Sequence, residues 1–283
     1  MFHAPRTMFR SCMPELPEVE TTRRGIEPLV LGKQVEQVLI HNAALRWPIP
    51  SDLDAILTAQ KVCSVARRSK YLLMNFERGT LIIHLGMTGH LRVCRPGEER
   101  RKHDHVEMLF SDHSVLRFND SRRFGAIFWT ETNPLLHERL VNLGPEPLEE
   151  GFNPSYLFQL SRKRKVAVKP FIMDARVVVG VGNIYASEAL FRAGISPVKP
   201  AGRLSRKAFA MLVQSVHEVL SEAIAAGGTT IRDFMDTEGR PGYFRQELRV
   251  YGRAGEPCMV CSGVISQTRL GQRSTFHCRK CQK

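Results

Sequence analysis

No stretch of the chain carries the roughly 20 consecutive apolar residues that a membrane helix needs, although hydrophobic residues make up 43% of it. This argues against a helical membrane protein. The opening lacks the apolar core of a secretory signal. Residues 1–12 hold Arg6 and Arg10 and no acid, but the segment is short for a transit peptide. No internal repeat is present, so a solenoid or propeller is not expected. Cysteine is sparse along most of the length. Of the seven, Cys12, Cys63 and Cys94 are scattered and the other four crowd the tail. That pattern speaks against a secreted disulfide framework and for a reducing compartment with a metal site. Acid is the last shortage. Asp and Glu number 28 against 41 Lys and Arg, giving a net charge of +13 and a pI near 9.8. Such an excess suits a polyanion, because Lys and Arg release counterions from a phosphate backbone. A basic but otherwise ordinary enzyme stays open on charge alone.

What is present divides by pattern. Pro14 to Leu31 reads as a helix. Pro17 suits its first turn, Glu15 and Glu18 its positive end, and Val19, Ile26 and Leu29 one apolar face, with Gly32 as its stop. Short apolar runs then recur at Val35–Ile40, Tyr71–Phe76, Thr80–Leu85, Val106–Phe110, Val115–Phe118 and Ala126–Trp129. Turn residues separate several of them, which predicts an antiparallel sandwich or barrel. Pro145-Glu146-Pro147 and Glu149–Pro154 read as linker. Residues 155–226 look helical, with Ser205–Ala226 the longest segment and Gly227-Gly228 its end. Residues 229–247 read as a long loop.

The tail is the most specific local signal. Cys258-Met-Val-Cys261 and Cys278-Arg-Lys-Cys281 are two C-x2-C knuckles sixteen residues apart. Each places two thiolates on one tight turn, and together they predict a tetrahedral Zn2+ site. With four thiolates no position is open, so the expectation is one structural zinc. Gly263 and Gly271 suit a hairpin between the knuckles. Arg249, Arg253, Arg269, Arg273, Arg279, Lys280 and Lys283 stand there against Glu256 alone. Such a hairpin fits a phosphate reader, but a simple stabilising staple fits as well. By itself it does not separate a repair enzyme from a ribosomal or transcription protein.

The segment Met13-Pro14-Glu15-Leu16-Pro17-Glu18-Val19-Glu20, joined to this zinc module, resembles formamidopyrimidine-DNA glycosylase. The resemblance runs through Arg68-Ser69-Lys70-Tyr71-Leu72-Leu73, His84-Leu85-Gly86-Met87-Thr88-Gly89 and Lys102-His103-Asp104-His105. It continues in Asp120-Ser121-Arg122-Arg123-Phe124-Gly125, Leu143-Gly144-Pro145-Glu146-Pro147 and Gly180-Val181-Gly182-Asn183-Ile184-Tyr185-Ala186-Ser187-Glu188. It closes with Gly227–Asp233 and Pro241-Gly242-Tyr243-Phe244, so residues 13 to 283 are covered.

The resemblance implies an α+β protein of two domains. Residues 14–132 would form a catalytic antiparallel β-sandwich with an N-terminal helix, and residues 133–154 a linker. Residues 155–247 would form a helical helix-two-turn-helix domain with a lesion-recognition loop at 227–244, and residues 248–283 a four-cysteine zinc finger with its β-hairpin. It implies excision of 8-oxoguanine and formamidopyrimidines, followed by β,δ-elimination at the abasic site. Double-stranded DNA carrying such lesions or abasic sites is the implied partner. A monomer in the cytoplasm of a bacterium is expected, meeting the nucleoid through DNA.

Residue roles follow from the same resemblance. Pro14 is the implied nucleophile. An α-amine titrates near ~8 and a lysine above ~10, so the α-amine is partly neutral at physiological pH. A secondary amine also condenses directly to an iminium. Glu15 is the implied general acid/base; from the residues alone it could equally serve the helix dipole. Glu18 and Glu188 look like supporting carboxylates. Lys70 is implied as phosphate clamp and helper in β-elimination, and Arg273 as the phosphate-binding arginine of δ-elimination. His84 and Asn183 match phosphate contacts around the flipped nucleotide. Met87, Arg122 and Phe124 match a void-filling trio, in which apolar wedges replace the lost stack and Arg122 meets the orphan base. His103 and Lys165 match further DNA contacts. Thr229, Thr230, Arg232 and Tyr243 fall on the lesion-recognition loop. Pro14 can be a nucleophile only if its nitrogen is free, so residues 1–13 are expected to be absent from the active protein, with translation starting at Met13. Two rival readings remain, an endonuclease VIII-like enzyme for oxidised pyrimidines and a non-catalytic zinc-ribbon DNA-binding protein.

Overall fold

A computed structural model of the chain describes residues 13–227 and 248–283. Helix α1 (Leu16–Val30) starts where the sequence places its signals. The Glu15 backbone N–H donates to Glu18 Oε2 at 2.9 Å, one half of a capping box, and Pro17 sits in the first turn. Val19, Ile26 and Val30 are buried, and Gly32 follows with φ +74°.

Eight strands and a short helix follow. They are β1 (Val35–Ile40), α2 (Leu53–Leu57), β2 (Val62–Arg68), β3 (Tyr71–Phe76), β4 (Gly79–His84), β5 (His90–Cys94), β6 (Asp104–Phe110), β7 (Val115–Asn119) and β8 (Ala126–Thr130). They build two antiparallel four-stranded sheets, ordered β1-β6-β7-β5 and β2-β3-β4-β8. Leu72, Met74, Ile83, Phe110 and Phe118 fill the space between them, joined by the apolar face of α1. The expected sandwich is therefore present, with two more strands than the apolar runs mark. Charge hides both. β2 ends in Arg67 and Arg68, which bond Glu20 and Glu146. β5 carries Arg92, only 2% exposed and 2.5 Å from Asp104. A buried, paired arginine breaks the alternation by which a strand is read.

The 133–154 segment is packed, not loose. Leu140 lies in a small apolar cluster with Leu73 and Ile82 on the outer face of the second sheet. Beyond it come α3 (Pro154–Ser161), α4 (Val168–Met173), α5 (Asn183–Arg192) and α6 (Arg206–Ala225) around Leu157, Ile172, Leu190, Phe209 and Leu220. Gly227, at φ +80°, ends α6. The tail folds as β9 (Ile265–Leu270) and β10 (Arg273–Cys278), turned by Gly271 and Gln272 in left-handed conformations. Glu188 on α5 ties this tail down, accepting from the backbone N–H groups of Arg249, Val250 and Tyr251 at 2.8–3.0 Å. Among the described residues no helix is long and apolar enough to cross a membrane.

Candidate active site

Pro14 is buried at the foot of α1, and Glu15 beside it is 3% exposed. The Glu15 carboxylate reaches out of its own domain. It accepts from Gly182 N at 2.8 Å, Ile184 N at 2.9 Å and Tyr185 N at 3.3 Å, the unpaired amides at the start of α5. Burial pushes the Glu15 carboxyl up; the Lys70 charge and these amides oppose it without reversing it. The glycines of Gly180-Val181-Gly182 make room. A Cβ on Gly182 would overlap the Glu15 carboxyl carbon, and Gly180 holds φ +76° with Leu16 against it. Glu18 belongs to the same knot, accepting the Tyr185 hydroxyl at 2.6 Å. Both expected supporting carboxylates, Glu18 and Glu188, thus hold the frame of the site.

Lys70 sits on the two-residue turn between β2 and β3. Ser69 adopts φ +58°, and its N–H donates to Glu146 at 2.7 Å. Glu146 also takes Arg67 and Arg68, and Arg68 reaches the Gly144 carbonyl. The Leu143–Pro147 motif therefore braces the turn that presents Lys70. His84 lies across the strand pair from Tyr71, their rings 4.8 Å apart. Burial, then the charges of Lys70 and Arg46, lower the His84 imidazole to about 4. Its Nδ1 accepts from Gly86 N at 3.1 Å, so the neutral ring carries its proton on Nε2, a donor suited to a phosphate oxygen.

Met87 and the pair Arg122 and Phe124 come together on neighbouring loops. Gly86 allows it, since a Cβ there would strike the Phe124 carbonyl carbon. Asp120, fully buried, staples the two loops by accepting from Thr88 Oγ1, Arg122 N and Gly125 N. Phe124 is 41% exposed, unusual for a phenyl ring, and the Arg122 guanidinium lies 4.7 Å from its centre. His103 occupies a turn at φ +74°, with its carbonyl accepting from Asp120 N at 3.1 Å.

Asn183 opens α5, between Gly182 and Ile184, whose amides hold Glu15, and meets the zinc hairpin. Its Nδ2 donates to the Ser274 carbonyl at 3.1 Å. Lys169 on α4, which sequence reasoning missed, joins them. It is 1% exposed, and its Nζ donates to Asn183 Oδ1 at 2.7 Å, Thr275 Oγ1 at 3.0 Å and the Ser274 carbonyl at 3.1 Å. Burial lowers this amine to about 7; Glu15 counteracts and Arg273 reinforces. A cation inside the apolar stretch Ala167-Val168-Lys169-Pro170-Phe171 was the available signal. Arg273 is exposed at the start of β10. Lys165 is exposed on the turn before α4, and its side chain has no hydrogen bond or ion pair among the described residues. Thr229, Thr230, Arg232 and Tyr243 lie outside the described residues.

The four knuckle sulfurs lie within 4.8 Å of one another. Cys258 and Cys281 are 3.8 Å apart, and Cys261 and Cys278 are 3.4 Å apart. A tetrahedron with Zn–S bonds of ~2.3 Å needs sulfurs about 3.8 Å apart. The spacing fits one zinc ion and is far too long for disulfides.

Three family models cover most of the chain. The formamidopyrimidine-DNA glycosylase N-terminal domain matches residues 13–127, the formamidopyrimidine-DNA glycosylase H2TH domain residues 143–235, and the zinc finger found in FPG and IleRS residues 255–283. The chain belongs to the formamidopyrimidine-DNA glycosylase family. Formamidopyrimidine-DNA glycosylases of Methylococcus capsulatus and Pseudomonas aeruginosa are 54% and 55% identical to it over 271 residues, 96% of this chain and all of theirs. The MutM (FPG) protein of Thermus thermophilus superposes with a TM-score of 0.85 at 37% identity, over 95% of this chain and 98% of that one. Lactococcus lactis Fpg in complex with abasic-site DNA gives 0.88 at 33% identity, over 95% and 99%. A Lactococcus lactis FPG mutant bound to Fapy-dG-containing DNA gives 0.89 at 33%, over 95% and 100%.

Proposed function

We propose that this protein excises oxidised purines from double-stranded DNA through the amine of Pro14 and then cleaves the abasic strand. Membership in the family supports the glycosylase and lyase activities. The observation that carries the residue assignment is the meeting of Pro14, Glu15, Lys70 and Asn183 from three separate elements at one seam. The Pro14 nitrogen forms a bond to C1′ of the flipped nucleotide while the C1′–N bond to the base breaks and the base leaves with that electron pair. The leaving base and the opening sugar ring need a proton, and Glu15, held above the usual carboxylate range by burial, is the nearby carboxyl that supplies one. The Pro14 nitrogen gives up its proton and its lone pair forms the N=C1′ bond as the C1′–O4′ bond breaks; that electron pair leaves on O4′, which is protonated, and an iminium results. That cation acidifies C2′; a base removes the C2′ proton, the electrons it leaves expel the 3′ phosphate from C3′, and removal of the C4′ proton then expels the 5′ phosphate from C5′ in a second elimination. Lys70 and the neutral His84 hold the phosphates on the sandwich side, with Asn183 and Arg273 on the helical side. Met87 and Phe124 fill the vacated stack while Arg122 meets the orphan base; His103 and Lys165 extend the backbone contacts. Thr229, Thr230, Arg232 and Tyr243 form the proposed lesion loop. Zinc holds β9 and β10 against Asn183.

All of this requires a free Pro14 nitrogen, so the active chain starts there and lacks residues 1–13. Relatives matched over their full length align with 271 residues of this chain, which supports that start. Borohydride reduction tests the assignment. Protein beginning at Pro14 forms a stable covalent adduct with an 8-oxoguanine:C duplex, and protein retaining residues 1–13 forms none. An adduct from the longer chain would move the nucleophile to a lysine. Comparison with a thymine-glycol duplex separates this reading from a pyrimidine-directed enzyme.

A further inference from the structure

The loop between β1 and α2 has no role in the site described above, yet it is built rigidly. Leu45 and Ile49 are sunk into the sandwich core, and Ile49 N donates to the Ala43 carbonyl at 3.0 Å. Ala44 N is held by the Asn42 side chain at 2.9 Å, and Pro48 and Pro50 fix the chain beyond. The residues between the anchors face outward. Arg46 is exposed and its backbone N–H bonds the Gly125 carbonyl at 3.2 Å, directly behind the Phe124 wedge. Trp47 is half-buried against Phe128, ring centres 5.7 Å apart.

Two guanidiniums share that indole. The Arg46 guanidinium carbon lies 4.7 Å from the ring centre, and that of Arg139, from the packed linker, 4.2 Å. Stacking on an aromatic face orients a guanidinium and leaves its N–H edge free for an oxygen ligand. Arg46 has no carboxylate or carbonyl partner for its side chain among the described residues. Among the described residues the Arg139 side chain has only Glu138, at 3.0 Å, whose own side chain is 72% exposed. Two like charges gathered on one ring repel each other, and an anion placed at their free edges removes that cost. The Arg46 charge is also felt by His84, after burial and Lys70, and both arginines act on Tyr71 against the effect of burial. The pair therefore stands near the end of β4 that carries His84, the residue proposed above to hold a phosphate.

We propose that Arg46, Trp47 and Arg139 form a phosphodiester-binding ledge that extends the DNA footprint beyond the lesion nucleotide on the sandwich side. The ledge takes DNA backbone phosphate, independent of base identity, and Trp47 serves to align its two cations. The inference rests on the DNA path of the proposed function, and its test is separable from that reading.

Affinity is measured against salt concentration for the wild type, Arg46→Gln, and the double variant Arg46→Gln with Arg139→Gln, using duplexes whose flanks are shortened separately from each side. Each phosphate contact contributes roughly 0.9 to the slope of log affinity on log salt. The single variant should lose about one unit of slope and the double variant about two. Shortening one flank, and only one, should lower the wild-type slope to that of the double variant and abolish the difference between them. An unchanged slope in Arg46→Gln, or a deficit that persists with both flanks cut back, overturns the ledge. Arg46 is exposed, so the single variant stays folded even if the Arg139 change disturbs the linker. Wild-type protein that binds with the expected flank dependence but yields no borohydride adduct would overturn the catalytic assignment and leave the ledge standing.

Discussion

Burial sets the chemistry of His84 and Glu15 in opposite senses, because each loses the charged form that water would favour. For His84 the folded value of about 4 lies below the ordinary 6.5. Between those values the unfolded chain binds the proton more readily, so the His84 contribution to stability is complete above pH 6.5 and is lost as pH falls towards 4. A nuclear magnetic resonance titration of the imidazole should show a midpoint near 4. In Lys70→Met the midpoint should rise, since the Lys70 charge is the second cause of the depression; an unmoved midpoint would show that burial acts alone. Gly182 offers a sharper steric test. Gly182→Ala drives a methyl group into the Glu15 carboxyl carbon, the end of a side chain that can shift only by giving up its bonds to the α5 amides. Overpacking of this kind costs about 1–3 kcal/mol, and here the group that must move is Glu15 itself. Urea unfolding should show the loss, and borohydride trapping should fall sharply. Normal trapping in this variant would mean that the carboxylate position is not critical.

Among the elements, those that announce themselves in sequence do so through one periodicity and one clean boundary. Helix α1, strands β1 and β3 and the zinc hairpin were legible for that reason. β2 and β5 were not, because Arg67, Arg68 and Arg92 occupy places where apolar residues would mark a strand, and only the partners Glu20, Glu146 and Asp104 make their burial possible. The site divides in the same way. The residues proposed to meet DNA lie in short motifs and could be named from them, whereas Lys169 and Asp120 act on other parts of the protein, the first marked only by a cation in an apolar stretch and the second only by its place in the Arg122 motif. Lys169 is the more consequential, since it spans α4, α5 and β10. Its folded value of about 7 against an ordinary 10.5 gives a definite sign. Below pH 7 the buried amine is charged in both states and the penalty is complete; from pH 7 to 10.5 only the unfolded chain keeps the proton. The stability of the wild type relative to Lys169→Met should therefore rise through that window, and parallel profiles in urea melts would refute the buried charge. Cys258→Ser addresses the other end of this junction. Structural zinc supplies folding free energy, so the variant should lose its metal, β9 and β10 should melt from α5, and DNA affinity should collapse with the Asn183–Ser274 contact. Near-normal binding by metal-free protein would count against it.

For the whole molecule, the sandwich and the helical domain are joined by charge as well as by chain. Glu146, 7% exposed, holds both Arg67 and Arg68 together with the Ser69 amide. Removing one partner of a buried ionic cluster leaves the others unpaired and costs about 3–5 kcal/mol. Glu146→Ala should lower the urea midpoint accordingly and slow excision through the Lys70 turn; loss of stability with unchanged excision would show that the brace and the clamp are independent.

The clasp of Glu15 on the amides of α5 also constrains how the cleft can open around a duplex. Three hydrogen bonds cross from one domain to the other at a single carboxylate. A rotation that keeps them must have its axis close to Glu15. Points near an axis travel least, so Pro14 and Asn183 keep their mutual register whatever the angle between the halves. Distant parts sweep the larger arcs, the Met87 and Phe124 loops on one side and the β9–β10 turn on the other. The proposed reacting centre can thus stay assembled while the duplex enters and leaves, and lesion search need not rebuild it at each site sampled.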